Sequence, residues 1–266
     1  MIRSAAVAGH FYPADKKTLQ RLMGQLLPPG AKRQKVLGLL APHAGYVYSG
    51  GCAGQGYGRA ELTETVIILG VNHRGAGAAL AVDGNDGWET PLGTIAVDSE
   101  LRSRLLAGSA LFRLDSEAGR LEHSLEVQVP FIQHARPGAR ILPITVAAHR
   151  LDDLLAAGVE ISRLFAGNPG LMMVASSDMS HYIPAERARE LDLMALDCVL
   201  RLAAEDLYRT VRDNRISMCG VAPAVIMLSA ARAAGAAQAE LVCYTNSGEA
   251  SGDLSEVVGY ASAIVY

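Results

Sequence analysis

The sequence is poor in aromatics, in charge and in cysteine. One tryptophan and four phenylalanines among 266 residues cannot supply the row of stacking platforms that single-stranded nucleic acid requires. Charged residues make up 19%, the formal net charge is −3, and no block of like charges occurs, so nucleic acid is not an expected partner. The four cysteines, Cys52, Cys198, Cys219 and Cys243, form neither a C-x-x-C pair nor a zinc-finger spacing. They read as buried free thiols of a reducing compartment. Long apolar runs are also missing. The longest, VAPAVIML from Val221, is far below the ~20 residues of a membrane span, and AAVAG after Arg3 is too short for a signal-peptide core. A soluble, cytoplasmic protein with no membrane partner is expected. The glycine-rich GGCAGQGYG lacks both the Lys-Ser/Thr of a P-loop and a G-x-G-x-x-G, and no G-x-S-x-G elbow is present, which argues against nucleotide binding and hydrolase-type serine chemistry.

What is present is a high hydrophobic content, 50%, concentrated in short runs that each end on a chemically capable residue. LGLLAPHAG delivers His43, TVIILGVNH delivers His73, LMMVASSDMSH delivers Asp178 and His181, and ELVCYTNSGE delivers Glu249. Runs rich in Val, Ile and Leu and closed by Gly, Asn or Ser predict buried parallel strands. Sites in such sheets lie beyond the carboxyl ends of the strands, so the four segments are expected to converge on one pocket.

Between these strands the sequence predicts an amphipathic helix over DKKTLQRLMGQLL capped by Asp15, and a loop over PPGAKRQK. It also predicts a glycine-rich helix after His43, a hairpin-like insertion over residues 79–97 and a helix capped by Asp98. EHSLEVQVPFIQHA should start as a helix and break near Pro130. Further helices follow, and ELVCYTNS and VVGYASAIVY close the chain as strands. With no repeat or linker, the expectation is one α/β domain over 1–266, its mixed, mostly parallel central sheet flanked by helices.

Taken singly, His43 or His73 at a strand end is more often a hydrogen-bonded structural residue. Together they are a pair of neutral imidazoles suited to Fe(II), Cu(II) or Zn(II). Glu249 is either a solvated loop acid or the carboxylate of a two-histidine, one-carboxylate metal set. Asp178 and His181, three apart, are either a cap with an exposed histidine or an acid orienting a general base. His123 and Glu126 repeat that spacing, which also fits a plain surface helix start. His10, His134 and His149 read as structural or exposed.

AVAGHFYPAD, LAPHAGYVYSG, LGVNHRG, WETPLGTIAVD, EHSLEVQVPF, ASSDMSHY and YTNSGEASGD…VVGYASA occur in this order along essentially the whole chain. In this the sequence resembles the Memo family. The resemblance implies a fold similar to class III extradiol dioxygenases, which are non-haem Fe(II) enzymes, with His43 and His73 as metal histidines. It also implies that His181 is the acid/base, with Asp178 beside it and His123 lining the site. Some family members carry a metal-associated cysteine in the last loop. That position falls here on Ala250, leaving Glu249 as the substitute and the cysteines dispensable for the metal. The implied activity is Fe(II)-dependent and oxygenase-like, on a small aromatic or related substrate, with copper or zinc as other admissible metals. Competing readings are a non-catalytic metal- or peptide-binding module and a metal-assisted hydrolase. The resemblance further implies a pathway association with AMMECR-type and radical SAM proteins.

Overall fold

Four parallel strands, buried along nearly their whole length, form the centre of the molecule. In the computed structural model, which describes residues 1–27 and 33–266, they lie side by side in the order Arg140–Val146, Thr65–Val71, Leu171–Ser176 and Gly38–Ala41. Their Val/Ile/Leu/Met content has no polar alternation because helices cover both faces. Val257–Val265 extends this sheet antiparallel to Gly38–Ala41, with Ala239–Asn246 and the short His181–Ile183 strand paired to it. On the other side, the Gly87–Thr90/Gly93–Val97 hairpin, Ile2–Arg3, and the short strands Leu80–Val82 and Arg113–Leu114 complete a mixed sheet of twelve strands among the described residues. The expected single α/β domain with a mostly parallel sheet is the fold found.

Pro143 stands in the middle of a central strand, where a missing N–H is normally excluded. Here it falls where the strand changes partner, from Gly93–Val97 beside Arg140 and Ile141 to Leu80–Val82 beside Ile144 to Val146. No ladder donor is needed at that step.

Two helices start at the caps expected from the sequence. Asp15 accepts from Thr18 N at 2.8 Å and Asp98 from Leu101 N at 3.0 Å. The expected break before Pro130 divides His123–Glu126 from Val129–Ala135, with Pro130 in the first turn of the second helix, a place that lacks no hydrogen bond. The loop expected over 28–35 lies outside the described residues for 28–32, and Gln34–Lys35 forms a short parallel pair with Ala60–Glu61 instead. The glycine-rich helix Tyr46–Arg59 does pack closely. A Cβ at Gly56 would stand 2.8 Å from the Ser262 side chain of the sheet. Among the described residues, no helix is long and apolar enough to cross a membrane.

The N-terminal arm is fastened by one buried ion pair. Arg3 is 4% exposed, stacks 4.0 Å from the Trp88 ring, and donates to Glu126 Oε2 at 2.6 Å and to the Glu122 carbonyl at 3.0 Å. Glu126 also accepts from Ala6 N, Val7 N and the Tyr12 hydroxyl. Glu126 therefore belongs to the core, not to a surface helix start, and it ties the arm to the helix that carries His123. Glu126→Ala would leave the guanidinium buried and unpaired, at an expected cost of roughly 3–5 kcal/mol. The check is urea unfolding; an unchanged midpoint would mean that the arm is held by other contacts.

Candidate metal centre

His43 follows the Gly38–Ala41 strand by two residues, and its backbone N–H donates to Asp178 Oδ1 at 2.7 Å across the neighbouring strand end. Its ring Nδ1 lies 2.9 Å from Ser176 Oγ. The serine hydroxyl already donates to the Ser124 carbonyl at 2.6 Å, and the Gln128 amide, oriented by the Pro42 carbonyl, donates into the same oxygen at 2.8 Å. Ser176 Oγ can therefore only accept from His43. That fixes the proton on Nδ1 and leaves the Nε2 lone pair available.

His73 lies two residues beyond Thr65–Val71 and is held by Glu122, which is fully buried. Glu122 Oε2 accepts from His73 N and Oε1 from His73 Nδ1, both at 2.9 Å. A carboxylate accepts only, so the proton again sits on Nδ1 and Nε2 is released. The same Oε1 accepts from Ser124 N at 2.9 Å and stands 3.3 Å from His123 Nδ1. One carboxylate thus orients the His73 ring, stands against that of His123 and caps the short helix that starts there.

The three rings meet. One donor nitrogen from each of His43, His73 and His123 lies within 4.8 Å of the other two, and ring centroids are 4.6–5.4 Å apart. Phe11 of the N-terminal arm covers His123 at 4.7 Å. Burial, reinforced by His73, pushes the His43 pKa down to about 3; burial and His43 push that of His123 down to about 4. Burial alone would raise the Glu122 carboxyl, but hydrogen bonds from His73 and Ser124 outweigh it and hold it at about 2. At neutral pH the cluster holds the neutral imidazoles of His43 and His123, with His73 bound to one fixed carboxylate beside them, a donor set compatible with a divalent borderline metal ion.

The other expected site residues fall differently. Asp178 is buried, burial raises its carboxyl pKa, and Oδ2 stands 3.9 Å from His43 Nε2. It does not orient His181: the chain after Ser176 runs as a loop, so the i, i+3 spacing does not stack the two side chains. Ser217 anchors His181 instead, its hydroxyl accepting from His181 N at 2.8 Å and its carbonyl facing Nδ1 at 2.9 Å. Glu249 is exposed on the four-residue helix Gly248–Ser251 and is not one of the convergent donors, and Ala250 beside it is exposed too. Both bonds of Ser247 to Val258 fold that turn back on the last strand. The carboxylate the sequence reading sought at Glu249 is therefore brought to the histidines by Asp178 and Glu122.

Cys219, read from the sequence as a free thiol dispensable for the metal, lies beside the histidine cluster. Its Sγ is 3.2 Å from His43 Nε2 and accepts from Asp178 N at 3.3 Å. Burial, with the Asp178 charge beside it, pushes this thiol pKa well up. A search for paired cysteines passes over it because its partner is a histidine 176 residues away. Glu122 leaves only a local signal in the sequence, an acid next to His123 in EHSLE.

In the metal-free protein these shifts make folding pH-dependent. Between the ordinary histidine value of 6.5 and the folded values of about 3 and about 4, the unfolded imidazoles bind protons that the folded ones do not. Stability is therefore complete above about pH 6.5 and falls as pH drops towards 3. Urea midpoints measured with a chelator at pH 7 and pH 4.5 should fall for the parent and fall less for His43→Asn. Equal losses in both proteins would show that His43 is not held neutral.

A family model described as Memo-like protein matches residues 3–264. A MEMO1 family protein of Aquifex aeolicus is 42% identical, covering 99% of this chain and 98% of its own. One of Methanosarcina barkeri is 39% identical over 99% and 100%. The crystal structure of an uncharacterized protein from Escherichia coli K12 shares the fold with a TM-score of 0.59 at 14% identity, covering 86% of this chain and all of its own. With the match running from Arg3 to Ile264, through every residue of the histidine cluster, the chain belongs to the Memo family.

Proposed function

We propose that this protein is an Fe(II)-dependent, oxygenase-like enzyme acting on a small aromatic or related molecule, with His43, His73 and His123 holding the metal. The observation that carries the reading is the convergence of three imidazoles at strand and helix ends, two of them with Nδ1 bound to an acceptor oxygen and Nε2 turned away from it. Imidazole donors also suit copper and zinc. Bound Fe(II) would supply Lewis acidity and one-electron chemistry at this point. The chain supplies the rest. Glu122 and Ser176 fix ring orientation, and Phe11 shields one side of His123 from water. His181, its Nδ1 proton held by the Ser217 carbonyl, keeps Nε2 free to accept a proton from substrate.

One observation favours a binding-only reading. Cys219 Sγ, 3.2 Å from His43 Nε2, would fill a position that a catalytic metal leaves open.

Anaerobic Fe(II) calorimetry should show binding lost in His43→Ala, His73→Ala and His123→Ala, and weakened ~10–100-fold in Glu122→Gln. It should be unchanged in Glu249→Gln. Unaltered affinity in the histidine variants would overturn the metal assignment. The Fe(II)-loaded protein should then consume O₂ with a catechol, and His181→Ala should keep its iron while losing ~10²–10⁴-fold in rate. Tight Fe(II) binding without turnover of any catechol would favour the binding-only reading.

A further inference from the structure

A cavity of about 540 Å³ opens beyond the carboxyl ends of Thr65–Val71 and Arg140–Val146. Its size falls within the ~300–1,000 Å³ of small-molecule sites. It shares a wall with the histidine cluster, since Cys219 lines the cavity while its Sγ lies 3.2 Å from His43 Nε2. Asn72, next to His73, lines it too, and its buried Oδ1 has no hydrogen-bond partner. Most of the remaining surface is apolar, from residues such as Val71, Val146, Ile216 and Met218, and no Asp or Glu contributes to it.

The charge on this cavity is positive and is placed at a conformational cost. The helix Ala204–Asp213 ends with Ile216 N donating to the Val211 carbonyl and Arg215 N to the Arg212 carbonyl. This is the arrangement in which the residue at position 215 must be left-handed and glycine is favoured. Arg215 occupies it, with φ 54°. Its neighbour Arg212 is engaged with Asp213 at 2.9 Å, whereas Arg215 makes no ion pair among the described residues. A non-glycine residue kept in a strained conformation at a cavity mouth is a sign that its side chain is used. The start of the helix Val221–Ala233, which has no side-chain cap, lines the same cavity and adds the positive end of its dipole.

We propose that this cavity binds a small organic carboxylate, with the acid on Arg215 and the apolar body lying towards the Cys219 wall of the histidine cluster. Guanidinium and carboxylate match as a bidentate pair, and the apolar walls take a hydrocarbon or aryl body. Asn72 Oδ1 would accept from a hydroxyl on that body. The proposal names the substrate class for the metal-centre reading and rests on that reading only for what the far end of the ligand meets.

The test uses 3-phenylpropionate and its neutral counterpart 3-phenyl-1-propanol, titrated into the metal-free full-length protein and followed by calorimetry. The acid should bind roughly tenfold or more tightly than the alcohol. Arg215→Gly should remove that preference while raising Tm, because glycine suits the left-handed position. On the Fe(II)-loaded protein, the ligand's aryl protons should relax faster in NMR spectra. Equal affinity for acid and alcohol, an undiminished preference in Arg215→Gly, or no relaxation effect with iron bound would overturn the proposal. Acid binding that depends on Arg215 in a protein that takes up no Fe(II) would uphold the cavity and defeat the metal reading alone.

Discussion

The Glu122 carboxylate is the constraint on which the rest of the site depends. It is fully buried, yet it stays charged because three N–H groups donate to it, His73 N, His73 Nδ1 and Ser124 N, with His123 Nδ1 3.3 Å away. An acid so placed would be costly without partners, and with them it fixes the His73 imidazole and the start of a helix at once. The helix in turn is held from behind by Glu126 and Arg3, so the first residues of the chain reach the metal centre through two consecutive turns. The His43 side is built independently, through Ser176 and the Gln128 amide. These two supports come from different strands, and the parallel sheet sets their spacing.

The sheet explains why the donors converge. Ser176 pairs with Ala41 and Ala175 with Leu69 in parallel register, so the residues that follow these strands emerge at one edge. His43 and His123 are kept neutral there by burial, which disfavours the charged form and leaves nitrogen lone pairs available for a metal. The same strand ends leave room on the other side of Cys219 for the Arg215 cavity. A metal centre and an anion-binding pocket can therefore share one wall without sharing donors other than that thiol.

Much of this was legible in the sequence. The strands announce themselves as unbroken Val/Ile/Leu runs, and His43 and His73 are readable because each follows such a run at the same distance. Residues whose partner is remote in sequence were harder to read. Cys219 meets a histidine from the other end of the chain, and no local spacing reports that. Glu249 follows a strand as the histidines do, but that strand lies outside the parallel core, next to the antiparallel Val257–Val265, so its loop opens into solvent. Asp178 and His181 show the limit of helical spacing arguments: three residues apart means one face only where the backbone is helical, and here it is not. Arg215 was invisible for another reason, since only the dihedral angle shows that an arginine has taken a glycine's place.

The claim that three imidazoles converge on one point is tested most directly by ¹⁵N NMR of the histidine rings, recorded metal-free and with one equivalent of Zn(II) as a diamagnetic probe. His43 should be neutral with the proton on Nδ1 at pH 7 before metal is added, and Zn(II) should move the Nε2 signals of His43 and His73 together with one nitrogen signal of His123. Rings protonated on Nε2, or Zn(II) shifts confined to a single histidine, would contradict the account.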